Sequence, residues 1–390
     1  MLKSKKTKII SASFILFVFL ALASEFDKKQ KQSAETEAIL ESLNVPVTSR
    51  TFRLGFTPWP PDLSNSAVAE VYGFINEHAD LVAHHMDNGV PWQESLDGAD
   101  YSTHLLEDWQ RRKTNTPQGH TVYLALTPLD FDRSGLAPYW GTKDNLPLPQ
   151  AWSDKALNDP DVMKAYFNYV RRSVEFFDPH YVAIGIESNI MLSKVPEQWD
   201  KYLELNKFVY SQLKKEFPNI EIFSTIQLEF LKGIDADASG DKDVQIEGVK
   251  NLLMHSDLAA VSTYKYGLGH NPVEPEYFDE VLSLNKKVAI AEMGAMSSDT
   301  KVFGMKLKST DADQVKFIAS MLSAAEENGF EFVVNFVAID YDQLIHKLTK
   351  DIAQIANIWV HTGLVDTDRK EKPALQIWDS YSRAPLEEQN

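Results

Sequence analysis

The chain has 390 residues, of which 44% are hydrophobic and 11% aromatic, enough to fill a large core. Its 56 acidic and 39 basic residues give a formal net charge of −17, which argues against nucleic acid and anionic membranes as partners. The chain has no cysteine, so disulfides, thiol catalysis and cysteine-bound metals are excluded.

The first 23 residues have the pattern of a secretory signal peptide. Lysines at positions 3, 5, 6 and 8 precede an apolar stretch over 9–22, and Ala21 and Ala23 mark a cleavage site. The stretch is short against the roughly 20 residues of a spanning helix, and an uncleaved anchor is the alternative. We therefore expect a secreted or periplasmic protein, with no stable membrane insertion after cleavage. Residues 24–50 are mostly polar and predict a flexible tether outside the core, with one short helix at most.

From residue 51 to 384, short apolar runs alternate with helical patterns. The eight runs cover 52–57, 80–86, 121–128, 181–188, 221–230, 258–266, 287–294 and 330–340. Eight strand-then-helix units, with strands too apolar to face water, predict a single-domain α/β fold, the (β/α)₈ TIM barrel. An open doubly wound sheet is the competitor, but no Gly-x-Gly-x-x-Gly phosphate loop follows the first run.

Two of the predicted strands end on a glutamate. Glu187 ends the run AIGIES and Glu292 ends AIAEMG, which are strands four and seven. These strands face each other across an eight-membered ring, and active sites of such barrels lie at the C-terminal strand ends. The two carboxylates can therefore converge over the barrel mouth. Two carboxyl groups about 5 to 5.5 Å apart suit a retaining glycosidase, with Glu187 as acid and base and Glu292 as nucleophile.

This pair of strand-terminal glutamates resembles that of the retaining glycoside hydrolases of the clan A barrel superfamily. The resemblance covers about residues 51–380, and it implies hydrolysis of β-glycosidic bonds in a polysaccharide or oligosaccharide without metal or organic cofactor. Tyr264 and Tyr266 in VSTYKYG lie where that superfamily has a tyrosine bonded to the nucleophile. The segment TGLVDTDRKEKPALQIW is similar to the tail that closes such barrels with a last helix. Among subfamilies, the chain most resembles the endo-β-1,4-galactanase type.

Two positions depart from the superfamily pattern. Ile186 precedes the acid, where the superfamily usually has an asparagine that binds the sugar 2-hydroxyl. Asn189, His85 and Asn335 are the candidates for that contact. The tryptophan that usually ends strand eight is also not evident in VVNFVAID.

Residues near the other strand ends are candidates for substrate binding. Trp59, Trp92 and Trp140 fall in loops after strands one to three, where flat rings would stack on the apolar face of a sugar. Asp87, just after strand two, would bind a sugar hydroxyl or cap the turn. Arg133 follows strand three and would balance neighbouring acids or contact an anionic substituent, the first being favoured.

The sequence is also compatible with two other classes of protein. A non-catalytic carbohydrate-binding barrel would bind glycans without turnover. A metal-dependent hydrolase would use His84 and His85, but adjacent strand residues point to opposite faces, so only one imidazole reaches the mouth. We therefore expect no metal site, with one histidine packed under the helices and the other in contact with substrate.

Overall fold

The structure is a computed structural model that describes residues 30–43, 46–238, 241–265, 273–302 and 304–387. The predicted signal peptide over 1–23 lies outside the described residues, and so does the predicted site residue Tyr266. All other predicted site residues are described.

Nine parallel strands form the centre of the part of the chain that the structure describes. They are β1 Arg53–Phe56, β2 Leu81–Met86, β3 Thr121–Leu126, β4 Tyr181–Ala183, β5 Glu221–Phe223, β6 Thr225–Gln227, β7 Leu258–Thr263, β8 Lys287–Met293 and, after the short hairpin of β9 Thr300–Val302 and β10 Met305–Leu307, β11 Phe332–Asn335. Their order is β5-β4-β3-β2-β1-β11-β8-β7-β6. Only Ser224 separates β5 from β6, which are two halves of one predicted strand. The nearly closed ring therefore has the eight predicted units, and the (β/α)₈ barrel is confirmed.

Helices surround this ring. After residue 50, the α-helices are Asn65–His78, Trp92–Asp97, Thr103–Asn115, Gln150–Ser153, Pro160–Phe177, Met191–Lys194, Trp199–Glu216, Leu228–Leu231, Lys242–Leu253, Asp279–Leu282, Asp311–Asn328, Asp342–Ile345, Lys350–Ala356 and Pro373–Ser382. Short 3₁₀ helices are Ser188–Ile190, Pro196–Gln198, Ala236–Ala238 and Pro275–Phe278. Local sequence sets their bounds: Thr310 and Asp313 form a capping box that starts one helix, and Gly329 ends it at φ 61°. No helix in the described part of the chain is long and apolar enough to cross a membrane.

Alternate strand residues fill the inside of the ring, because successive side chains of a strand point to opposite faces. Tyr123, Phe223 and Phe332 pack there with ring centroids 5.3 to 6.3 Å apart. Other inward positions carry small residues, such as Ala125 and Ala291, which line a pocket at the mouth. Aromatic rings therefore fill part of the interior of the barrel, while the small side chains at the mouth leave room for a ligand.

The N-terminal segment, predicted as a tether with at most one short helix, contains a helix that lies against the barrel. Residues 30–42 are helical, and Ile39 and Leu40 pack against the hydrophobic core of the barrel. Thr36 is only 4% exposed, and Glu35 pairs with Lys316 at 3.2 Å. The stripe at positions 36, 39 and 40 has helical spacing but is narrow. The polar composition around it therefore favoured the prediction of a tether.

The C-terminal segment closes the barrel with a last helix. Trp378 is fully buried, packs on Phe56 with 4.6 Å between ring centroids, and donates a hydrogen bond to the carbonyl of His78 at 2.8 Å. Before this helix, the buried Lys372 Nζ lies 2.7 Å from Asp340 Oδ1. This buried ion pair joins the start of the last helix to the loop that follows β11.

Candidate active site

The two predicted glutamates both lie at the C-terminal end of the ring. Glu292 is in β8, and Glu187 lies four residues beyond β4, after a bend whose backbone is hydrogen-bonded to β5 and β6. The side chains are 14% and 19% exposed, so each is mostly buried but still accessible to a ligand. The charge of Glu292 also contributes to the raised pKa of Glu187, as a like charge nearby does.

The backbone at Glu187 has an uncommon conformation. Its φ is 50°, in the left-handed region that residues other than glycine rarely adopt. The Glu187 amide donates a hydrogen bond to Thr225 Oγ1 at 2.8 Å, and the Thr225 amide donates one to the Gly185 carbonyl at 2.8 Å. These bonds hold a conformation that costs on the order of 1 kcal/mol or more. Such strain is typical of functional positions.

Gly185 leaves no room for a side chain beside the acid. A Cβ at this position would overlap the Tyr202 hydroxyl and lie 2.6 Å from Ser188 Oγ and 2.9 Å from Ser224 Oγ. We expect Gly185→Ala to lower the free energy of unfolding by about 3 kcal/mol, because it breaks this buried hydroxyl cluster. Urea denaturation measures the change. The control is Gly73→Ala on an exposed helix position with no atom within 4 Å, which we expect to be stabilising by ~0.5 kcal/mol. Equal effects of the two changes would contradict this account.

The Glu187 carboxyl group is held next to a buried cation. Arg133 is 4% exposed, and its Nη2 lies 3.3 Å from Glu187 Oε2. The Arg133 Nη1 donates to the carbonyls of Asp130 and Phe131 at 3.0 and 2.8 Å. Burial raises the pKa of Glu187 to about 7, against the opposing effect of Arg133 and with support from the charge of Glu292. Of the two roles considered for Arg133, the structure shows charge compensation of a neighbouring acid, and that acid is Glu187.

Both oxygens of Glu292 have donors. His85 Nδ1 lies 3.0 Å from Oε2, and the Tyr264 hydroxyl donates to Oε1. The buried Glu229 fixes Tyr264 in turn, because it accepts a hydrogen bond from the Tyr264 amide at 3.1 Å and another from Thr263 Oγ1 at 2.6 Å. Glu229 thus positions Tyr264, and its carboxylate is already engaged in hydrogen bonds within the protein.

His85 lies between two acidic side chains at the end of β2. Its Nε2 is 3.6 Å from Asp87 Oδ1, on the side of the ring away from the Glu292 contact. Burial alone would lower the pKa of His85, but Asp87 and Glu292 outweigh it and raise the value to about 9. The neighbouring His84 is fully buried and bonds Thr116 Oγ1 at 2.9 Å, and burial holds its pKa well below the usual value.

A small pocket opens beside Glu292. Its other lining residues are Thr57, Ala83, His85, Tyr123, Ala125, Ile186, Thr225, Ser262 and Ala291. The lining contains both hydroxyl and alkyl side chains, a mixture that suits a sugar ring. Ile186 is 3% exposed and belongs to the interior cluster, so the position before the acid offers no polar contact.

An aromatic group surrounds the same mouth. The ring of Trp59, which is 36% exposed, lies 6.1 Å from Phe336 and 5.8 Å from Tyr341. Trp359 lies 5.6 Å from Phe336 and 5.8 Å from Tyr264. Trp59 was predicted at this place from its position after strand one, whereas Phe336 and Trp359 were not predicted there. Trp359 follows a helix well beyond β11, so no local pattern ties it to the mouth.

Two predicted sugar-stacking residues, Trp92 and Trp140, are placed elsewhere. Both are fully buried in the outer core, so the expectation that they line the cleft is wrong. The loops after β2 and β3 fold onto each other: Val90 bridges Tyr139, and Trp92 Nε1 donates to the Ala137 carbonyl at 2.9 Å. The two indoles fill the space between these loops.

Asn189 and Asn335 are also used inside the protein. Asn189 is fully buried and bonds the backbone of Gln227 at 2.8 and 3.0 Å and the side chain of Gln245 at 2.9 Å. Asn335 is fully buried and donates to the carbonyls of Val337 and Thr362 at 2.8 and 3.1 Å. Both amides hold loops in place, which corrects their assignment to sugar binding. His85 is the remaining candidate, and it contacts Glu292.

Among the described residues, no group of three or more His, Asp or Glu side chains is arranged to hold a metal ion. Asp87 is 51% exposed at the end of β2, next to His85. The side chains gathered at the mouth are therefore the two glutamates, their polar partners and the aromatic group.

Comparison with known proteins places the fold in a class. No family model matches the chain, and no curated protein matches it. Solved structures of glycoside hydrolases do match over most of its length, and the chain shares their (β/α)₈ barrel.

Three of these structures illustrate the likeness. The exo-β-1,4-mannosidase Op5Man5 from Opitutaceae bacterium strain TAV5 is 14% identical with a TM-score of 0.59, and the match covers 86% of this chain but only 60% of the mannosidase chain. GH5_18 from Bifidobacterium longum subsp. infantis is 16% identical with a TM-score of 0.59, over 87% and 82% of the two chains. A variant of GH5_18 from Streptomyces cattleya in complex with Manβ1-4GlcNAc is 13% identical with a TM-score of 0.57, over 85% and 81%. At these identities the likeness establishes the fold.

Proposed function

We propose that the protein is a retaining glycoside hydrolase of β-linked glycans, with Glu187 as proton donor and Glu292 as nucleophile. The observation that carries the proposal is the unequal environment of the two glutamates. Burial raises the pKa of Glu187 to about 7, so a large fraction of its carboxyl groups still carries a proton near neutral pH. Glu292 instead accepts hydrogen bonds from His85 and Tyr264, which favour the carboxylate. One acid and one base at the same mouth are what the reaction needs.

The reaction proceeds in two steps. In the first, a carboxylate oxygen of Glu292 bonds to the anomeric carbon, the glycosidic bond breaks, and the Glu187 proton passes to the departing oxygen. In the second, Glu187 takes a proton from water, and the resulting hydroxide equivalent displaces Glu292 from the anomeric carbon. Two inversions give a product with the configuration of the substrate.

The surroundings of the glutamates and the structures that share the fold support a β-linked glycan as the substrate. Trp59 at the mouth offers a partly exposed ring for the apolar face of a sugar. β-Mannosides are the first candidates, because a mannosidase and a complex with Manβ1-4GlcNAc are among the structures that share the fold. β-1,4-Galactan is the second, because the sequence resembles that type of enzyme.

Product analysis on a panel of glycans tests the proposal. The purified protein is incubated with β-mannans, β-mannosides, β-1,4-galactan and β-glucans, with Glu292→Gln protein as the blank for contaminating enzymes. We expect a reducing sugar whose anomeric configuration, followed by proton NMR from the first minutes, equals that of the substrate. Binding without turnover on every substrate would favour a carbohydrate-binding barrel. Turnover that a chelator abolishes would favour a metal-dependent hydrolase.

A further inference from the structure

Three side chains form a row from solvent to the proposed nucleophile. Asp87 is 51% exposed, His85 is 19% exposed, and Glu292 is 14% exposed. Nδ1 of His85 lies at hydrogen-bond distance from Glu292 Oε2, 3.0 Å, whereas Nε2 is buried without a hydrogen-bond partner and lies 3.6 Å from Asp87 Oδ1, within the range of an ion pair. Each ring nitrogen of His85 therefore lies near a carboxylate.

This arrangement is unfavourable for a neutral imidazole. A neutral ring has one N–H group and one nitrogen lone pair, whereas the imidazolium has two N–H donors. In either neutral tautomer, a lone pair of His85 would face the negative oxygens of Asp87 or Glu292. The cation alone presents a donor to both.

We propose that His85 is a positioning residue that stays cationic at neutral pH because Asp87 and Glu292 flank it, and that this cation keeps the proton of the glutamate pair on Glu187. Asp87 influences the glutamate pair indirectly, because it stabilises the positive charge of His85. The role is separate from sugar binding, to which the sequence analysis assigned both residues. The consequence for turnover rests on the proposed function, but the charge of His85 does not.

Other charged groups around His85 modify this balance. The titratable and charged groups that face it are Asp87 at the end of β2, Glu292 of β8, Glu187 after β4 and Arg133 after β3, while Arg112 donates to the His85 carbonyl at 3.3 Å. Arg133 and burial oppose protonation of the imidazole, and the carboxylates outweigh them, so the pKa of His85 rises to about 9. Arg133 is itself 3.3 Å from Glu187, which leaves His85 as the cation in direct contact with Glu292.

The charge of His85 affects the two glutamates unequally. It touches Glu292, where it stabilises the carboxylate by a charge-assisted hydrogen bond. Its effect on Glu187 is only coulombic and ranks below those of burial, Arg133 and Glu292. Loss of the cation should therefore destabilise the carboxylate of Glu292 more than that of Glu187, and the proton would no longer sit on the acid alone.

The charge of His85 is measured directly by NMR. Protein labelled with ¹⁵N-histidine is titrated, and the His85 signals are assigned by their absence in His85→Gln. We expect both ring nitrogens to be protonated at pH 7, with a titration midpoint near 9. In Asp87→Asn, which changes a half-exposed side chain and should leave the fold intact, the midpoint should fall by about one pH unit. A neutral His85 at pH 7, or a midpoint that Asp87→Asn leaves unchanged, would overturn the inference.

The effect on the glutamate pair is measured by pH profiles of kcat/KM. In His85→Gln we expect the acid limb to move up by about one pH unit and the alkaline limb by less, so that the active range narrows. A merely structural role would lower kcat/KM by the same factor at every pH. The matched control is His104→Gln, which removes an exposed histidine paired with Asp144 at 2.8 Å and should leave the profile unchanged.

The NMR titration and the pH profiles together distinguish a failure of this inference from a failure of the proposed function. If wild-type protein turns over no β-linked glycan, the proposed function fails, while the NMR titration still decides the charge of His85. If it turns over glycan and His85→Gln lowers kcat/KM without moving either limb, the hydrolase stands and the role of His85 is overturned.

Discussion

Glu292→Gln is expected to lower kcat on a β-linked glycan by about 10⁴-fold or more, equivalent to ~5 kcal/mol of transition-state stabilisation. The amide fills the same space but cannot form the covalent bond to the anomeric carbon. His85 and Tyr264 both direct donors at this carboxylate, so the site is organised around its charge. We expect binding of the glycan to change by much less than turnover.

Steady-state kinetics and calorimetric titration with the same oligosaccharide measure the two effects. The control is Glu197→Gln, which changes an exposed glutamate in the 3₁₀ helix Pro196–Gln198, ten positions beyond Glu187, and should keep full activity. A Glu292→Gln protein with more than about one hundredth of wild-type kcat would show that the nucleophile lies elsewhere. In the Glu292→Ala protein, azide should restore turnover and give a glycosyl azide of inverted configuration, which identifies the lost group as the nucleophile.

The barrel was predictable because its signal is local and repeated. Each of the eight runs is apolar on both faces, since one face fills the ring and the other meets helices, as Ala289 and Ile290 of β8 show. The glutamates stood out for the same reason: Glu187 and Glu292 interrupt apolar runs at their C-terminal ends. A charge at such a place is costly unless a partner or a ligand compensates it.

The surroundings of the glutamates were less predictable, because they depend on contacts between distant segments. Trp92 and Trp140 have the same local context as Trp59, a loop after a strand, yet only Trp59 stays exposed at the mouth. What separates them is the packing of one long loop on another, through Val90 and Tyr139, which no sequence period encodes. The sequence shows which residues follow the strand ends, but tertiary contacts determine which of their side chains are exposed at the mouth.

The polar residues show the same limit. Asn189 and Asn335 lie near strand ends and carry groups that can bind sugars, but buried backbone atoms of Gln227 and Val337 need those groups first. A buried amide without a partner is destabilising, so the fold uses the nearest side-chain donors and acceptors. His85 was assigned to sugar for its place in β2, and only the three-dimensional contact shows it bound to Glu292.

Glu187→Ala is expected to lower kcat/KM on a natural glycan by about 10³-fold, because general acid catalysis contributes this much when the leaving group is a sugar alkoxide. The loss should nearly vanish for the first step with a dinitrophenyl glycoside, whose leaving group needs no proton. Deglycosylation then limits kcat, and azide, which needs no general base, should restore it and give a glycosyl azide of retained configuration. A uniform loss for both substrates would argue that Glu187 supports structure, not proton transfer.

The pH profile gives the same variant a second readout. The raised pKa of about 7 means that wild-type Glu187 is protonated below pH 7 and loses its proton above it. Since only the protonated form can act as the acid, kcat/KM of the wild type should fall tenfold per pH unit on the alkaline side of that value. Glu187→Ala should lack this alkaline limb while the acid side of its profile stays as in the wild type. If the limb stayed in place, a group other than Glu187 would be the one that titrates.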